Sequence, residues 1–100
     1  MKKSYMFLAT GFEETEAIAP IDVMRRAGME VVLVSITDSL AVEGAHGVFV
    51  NADAMFGEVD FNAAEWLICP GGLPGATNLA EFEPLCELLK YHFASGGRVA

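Results

Sequence analysis

Short apolar runs, separated by polar breaks rich in glycine, set the plan of this 100-residue chain. Residues 4–10 (Ser-Tyr-Met-Phe-Leu-Ala-Thr) and 30–36, with Val-Val-Leu-Val at the centre, are nearly continuous in hydrophobicity, the pattern of strands buried on both faces. Between them Ala17, Ile18, Ile21 and Met24 recur at helical spacing and predict a helix over 15–27, stopped by Gly28. Pro20 falls inside that helix and is expected either in its first turn or at a kink. A third apolar run, 66–69, is cut by Pro70 and followed by two adjacent glycines. Further on, Pro84 suits the start of a helix over 84–95, with Leu85, Leu88, Leu89 and Phe93 as its apolar stripe. Lys90 and His92 lie near its C-terminal end, and Ser95-Gly96-Gly97 closes it. A turn at 42–47 joins two short strands near 41–50, the second being 48–50, whereas 53–64 reads as loop. Arg98-Val99-Ala100 begins what reads as one more strand. Strand and helix alternate, so the prediction is an α/β domain with a mostly parallel sheet covered by helices.

Composition sharpens this picture. One hundred residues allow a single core, and a hydrophobic fraction of 53% with mean hydropathy +0.38 excludes a disordered segment. Six basic residues stand against fourteen acidic ones, a formal charge of −8. Such a surface repels a phosphate backbone, so no nucleic-acid partner is expected. Membrane attachment is not expected either, since there is no basic amphipathic stretch. The N-terminal Lys2-Lys3 followed by apolar residues resembles the start of a signal peptide, but Thr10-Gly11 and acidic Glu13-Glu14 stand where a cleavage site would lie, so strand is preferred. Cys69 and Cys86 have no metal-ligand spacing and read as reduced thiols of a cytoplasmic protein.

Three places hold candidate chemistry. Gly71 and Gly72, after the 66–69 strand, are free to aim their N–H groups together at one small anionic atom, as an oxyanion hole requires; the alternative is a sharp turn and nothing more. Glu16 follows the first strand at a helix start. At the C-terminal edge of a parallel sheet it would face the ligand crevice, and if desolvated it would keep its proton and donate to a thiolate or oxyanion. Its simpler reading is a helix-start acid favoured by the dipole. Glu13 and Glu14 read as solvated or interface charges. Cys69 and Cys86 read as small buried hydrophobes, His46 as a turn residue and His92 as a C-terminal helix residue. No phosphate loop, dinucleotide fingerprint or paired metal site is present, so no cofactor and no metal are expected.

Taken in order, Gly11-Phe12-Glu13-Glu14-Thr15-Glu16, Pro20-Ile21-Asp22-Val23-Met24-Arg25-Arg26-Ala27-Gly28, and Cys69-Pro70-Gly71-Gly72 with Gly75-Ala76-Thr77-Asn78-Leu79 closely resemble the ThiJ/PfpI superfamily. The nearest branch contains the Parkinsonism-associated protein deglycase and its bacterial relatives. The resemblance covers essentially all 100 residues and implies a flavodoxin-like three-layer α/β sandwich, usually a homodimer. It implies a cysteine on a strained strand-to-helix elbow, an acid bonded to that cysteine at the position of Glu16, and an oxyanion-pocket amide at Gly72 with Gly71 beside it. The implied activities are glyoxalase or deglycase chemistry on small-molecule carbonyls, oxidative-stress sensing and chaperone behaviour.

In that family a strand beginning like Gly97-Arg98-Val99-Ala100 leads straight into the nucleophile, so the cysteine is expected just after Ala100 and a histidine later still. Residues 1–100 are therefore expected to be the N-terminal part of a single domain, incomplete at the C-terminus through truncation or cleavage. The remainder would then follow in the same chain or be supplied as a second chain. The alternative is a compact small protein. Alone, with an acid and an oxyanion loop but no nucleophile, the chain is expected to be inert. Two other functional readings stay open: a glutamine amidotransferase-like domain, which the acid loop at Glu16 disfavours, and a redox-sensing or chaperone-like dimer using the same cysteine.

Overall fold

The computed structural model describes residues 2–100. Strand β1 (Ser4–Leu8) is buried at every position, and its side chains alternate between two cores. Met6 and Leu8 point into one with Phe12, Val31 and Leu33, while Tyr5 and Phe7 point into the other with Val34 and Leu67. Two-sided burial is why the run reads as continuously apolar. Helix α1 (Glu14–Arg26) covers the first core with Ala17 and Ile21. Strand β2 (Val31–Ser35) returns parallel to β1, pairing Met6 with Leu33. Strands β3 (Ala41–Glu43) and β4 (Phe49–Asn51) form a separate antiparallel hairpin. Strand β5 (Ala54–Met55) pairs parallel with β2 and leads into a 3-10 turn at Phe56–Glu58. Strand β6 (Trp66–Ile68) lies on the other side of β1. Helices α2 (Gly75–Ala80) and α3 (Glu83–Ala94) cover the second core through Leu79 and Leu85, and β7 (Arg98–Val99) pairs parallel with β6. The main sheet has the order β5-β2-β1-β6-β7, every pair parallel, with helices on both faces. This is the expected three-layer α/β fold.

Several local expectations are corrected. Segment 53–64 is not simply loop: it contains β5 and the 3-10 turn, held by a cluster of rings in which Phe56 lies 5.2 Å from Phe61 and Phe61 lies 5.6 Å from Phe7. Helix α2 was not expected at all. Pro20 lies inside α1, beyond its first turn. Phe93 is 73% exposed and does not share the buried face of Leu85. Among the described residues no helix is long and apolar enough to cross a membrane.

Gly75 shows how tightly α2 is set against the turn after β1. Its N–H donates to the Gly11 carbonyl at 3.0 Å, and a Cβ there would lie 2.6 Å from both N and Cα of Phe12. Gly75→Ala is expected to destabilise the protein by about 1–3 kcal/mol, read as a lower denaturant midpoint at constant slope. An unchanged midpoint would show that this turn has room to yield.

Candidate active site

The turn after β1 brings three glutamates to the start of α1. Gly11 takes φ +86°, with Pro74 of the second glycine loop packed where a side chain would be, and Phe12 anchors the turn with no exposed surface. Glu13 is the N-cap, its Oε1 accepting the Thr15 N–H at 2.8 Å. A carboxylate there satisfies a free helix amide and suits the positive end of the helix dipole. Glu14 and Glu16 follow in the first turn.

Against this turn lies the Pro70-Gly71-Gly72 loop that ends β6. The Gly71 carbonyl accepts the Glu13 N–H at 2.9 Å, and the Gly71 N–H donates to Glu16 Oε1 at 3.0 Å. A Cβ on Gly71 would strike that carboxylate, and one on Gly72, whose φ is +96°, would lie 2.6 Å from the Glu13 nitrogen. Gly72 is thus required by close approach to backbone as well as by the turn, whereas at Gly71 the close neighbour is the Glu16 side chain. The sequence predicts that both amides aim at one acceptor; among the described residues no single acceptor takes both. Gly71 gives its N–H to Glu16, whereas the Gly72 N–H has no hydrogen-bond partner among the described residues. Glu16 is exposed in this structure and not desolvated. Glu16 and Gly71 open onto a cleft of about 630 Å³ shared with Pro20, Met24, Trp66 and Ala100. The cleft runs along the sheet face beside α1, from Trp66 at the start of β6 to Gly71 beyond its end. Glu16 and Gly71 stand at the C-terminal end of that strand, the end where parallel α/β sheets bind ligands.

Other candidates fall where simpler readings put them. Cys69 is half-buried, and burial raises its thiol pKa, with Cys86 adding a smaller push in the same direction. Its backbone N–H is held by the Ala100 carbonyl at 2.8 Å. Cys86 donates its Sγ–H to the Ala80 carbonyl at 3.2 Å. The two cysteines form no disulfide. His92 contacts the Glu65 carbonyl at 3.2 Å and leaves no room for a side chain at Gly97. It therefore sits at the opposite end of β6 from Gly71.

The sequence did not anticipate the role of Glu14 and His46. Glu14 reaches the β3–β4 turn, where Oε2 accepts the N–H groups of His46 at 2.8 Å and Val48 at 3.2 Å, and Oε1 meets His46 Nδ1 at 2.9 Å. Partial burial pushes the Glu14 carboxyl up, but these hydrogen bonds outweigh it and hold the pKa at about 2. Glu14 is therefore an internal strut, not a solvated charge. Among the described residues, Glu13, Glu14 and His46 also bring ligand atoms within 4.8 Å of one another, as a metal would require. Both oxygens of Glu14 are already engaged by the hairpin.

The sequence profile of the DJ-1/PfpI family matches residues 2–100. The chain belongs to that family. Protein DJ-1 homolog B of Arabidopsis thaliana is 33% identical over 95 residues, covering 95% of this chain and 22% of the relative. The glutathione-independent glyoxalase DJR-1.2 of Caenorhabditis elegans is 36% identical over 87 residues, covering 87% of this chain and 46% of the relative. Among solved structures, oxidized DJ-1 of Toxoplasma gondii superposes with a TM-score of 0.94 at 36% identity, covering 99% of this chain and 54% of that one. The chain thus spans about half the length of the latter two and under a quarter of the Arabidopsis protein. The resemblance read from Gly11–Glu16, Pro20–Gly28 and Cys69–Leu79 is confirmed at the level of family and fold.

Proposed function

We propose that residues 1–100 form the N-terminal part of one DJ-1/PfpI domain and supply the acid and an oxyanion amide of a cysteine-dependent site for small reactive carbonyls or their adducts. The observation that carries this reading is the Glu16 Oε1 to Gly71 N–H bond of 3.0 Å, placed in the same cleft as Ala100. Neither cysteine of this chain suits the nucleophile's part, since Cys69 is half-buried with a raised pKa and Cys86 is tied to Ala80. The nucleophile is proposed to follow Ala100. A thiolate entering from there would add to an aldehyde carbon beside Glu16, and the unpartnered Gly72 N–H would donate to the oxygen that gains charge. The name of the Caenorhabditis relative, a glutathione-independent glyoxalase, supports the carbonyl class. A homodimer is proposed on the same family grounds.

The test is loss of methylglyoxal in the absence of glutathione, measured on the intact protein. Turnover is expected; none at any substrate concentration would refute the reading. Gly71→Ala gives a sharper check. Its backbone carries no positive φ, so alanine fits the chain, but the new methyl group displaces the Glu16 carboxylate. The expected result is a fall in kcat/KM of about 10²-fold, the scale of a 1 Å misplacement, with little change in thermal stability. Full activity in Gly71→Ala would mean that the contact with Glu16 has no part in the chemistry.

The oxidized state of the Toxoplasma relative supports a second reading, a redox sensor in which the same thiol is oxidised and no carbonyl turns over. A protein inactive on carbonyls whose thiol is stoichiometrically oxidised by peroxide would favour it.

A further inference from the structure

The β3–β4 hairpin and the glycine loop grip opposite sides of the same turn. On one side the hairpin is fastened by the Gly11 N–H to the Glu43 carbonyl and the Ala45 N–H to the Phe12 carbonyl, both 2.8 Å. Gly44 passes so close that a Cβ would lie 2.5 Å from the Glu14 carboxyl carbon. On the other side Glu13 and Glu16 hold Gly71 through its carbonyl and its N–H. To these backbone bonds the hairpin adds a histidine side chain. His46 Nδ1 lies 2.9 Å from Glu14 Oε1 and 3.4 Å from Glu13 Oε2, with 73% of its side chain open to solvent.

We propose that His46 is a pH-dependent latch, a positioning residue whose positive charge clamps Glu13 and Glu14 and thereby sets the backbone of the Glu13–Glu16 turn against Gly71 and Gly72. The proposal takes the Glu16–Gly71 pair as the site, as above, but does not depend on its substrate.

The charges that face His46 are Glu13 and Glu14, from the start of α1. On its own hairpin Glu43 lies three residues earlier with an exposed side chain, and among the described residues no other charged group forms an ion pair with His46. The hydrogen bond to Glu14 is the main cause that raises the His46 pKa, with the charges of Glu14 and Glu13 adding to it. The sign follows. A raised histidine pKa means that the clamp is fully present at low pH and is lost as pH rises through the folded value. Glu14 stays ionised down to about pH 2 and sets the far lower acid limit. Once the proton leaves, Glu14 keeps the backbone N–H groups of His46 and Val48, but two neighbouring carboxylates lose their shared cation. Glu13 then keeps its cap to Thr15 through Oε1 but loses the ion pair at Oε2, and its N–H is the one bound to Gly71.

The test is a ¹H–¹⁵N titration of the intact protein from about pH 5 to pH 9, the range of a histidine switch. It follows the His46 ring proton together with the Gly71 and Gly72 amides. The expected result is a His46 midpoint above about 6.5, with both glycine amides shifting at that same midpoint. In His46→Gln, a change at an exposed side chain, the glycine step should vanish while the spectrum stays dispersed. In Glu14→Gln the His46 midpoint should fall. Glycine amides that stay still while His46 titrates, or that titrate equally in His46→Gln, would overturn the latch. An intact protein inactive on methylglyoxal would count against the carbonyl reading alone and leave these shifts as they are.

Discussion

Glu16→Leu in the intact protein is expected to lower kcat/KM for methylglyoxal by about 10²–10⁴-fold, the range set by loss of a positioned acid or base. Leucine keeps the bulk of the side chain but leaves the Gly71 N–H without its 3.0 Å acceptor and removes the group proposed to hydrogen-bond the attacking sulfur. Glu16 is exposed, so the fold should be little affected, within about 0.5 kcal/mol. Glu16→Gln keeps a carbonyl oxygen for Gly71 and an amide for the sulfur, and is expected to fall between wild type and Glu16→Leu. A thiol titration gives a readout that a merely structural role would not move: the nucleophile's pKa should rise in Glu16→Gln and rise further in Glu16→Leu. If both variants kept wild-type turnover and thiol titration, Glu16 would be only a helix-start charge.

The place of Glu16 in the fold was legible because its cue is local: an acid in the first turn of a helix that follows a buried strand. The same is true of β1 and β2, whose two-sided burial writes itself as unbroken hydrophobicity. Its partnership with Gly71 was not legible, since the two are 55 residues apart and are joined only when β1 and β6 lie side by side. Gly71 and Gly72 announced a special backbone, but the sequence did not say that a carboxylate would occupy one of the two amides. His46 gave no signal beyond its turn, and Glu14 gave none beyond its charge. Their bond spans 32 residues and depends on a hairpin folding back over the helix start. The short elements were invisible for another reason. Six residues in α2 and two in β5 are fewer than a periodic pattern needs, and what fixes them is tertiary: Gly75 against Phe12, and Phe56 against Phe61.

Two phenylalanines that the sequence placed alike in the core should separate sharply on mutation. Phe7 has no exposed surface and packs in the core with Val34, Leu67 and Leu79. Its ring lies 6.0 Å from Phe56 and 5.6 Å from Phe61, so it also anchors the segment that carries β5. Phe7→Ala is expected to cost about 3–5 kcal/mol, a large part of the roughly 5–15 kcal/mol that holds a domain together. Phe7→Leu, which refills most of the volume, should cost less. Phe93 carries the helical spacing of the α3 stripe, four residues after Leu89, yet it is 73% exposed. Phe93 lies off the face of α3 that carries the buried Leu85. Phe93→Ala is accordingly expected to change stability by no more than about 0.5 kcal/mol. Denaturant midpoints of the three variants of the intact protein check both expectations. A small loss for Phe7→Ala would mean that the second core collapses around the cavity. A loss for Phe93→Ala as large as that for Phe7→Ala would mean that residues outside the 2–100 segment cover this ring.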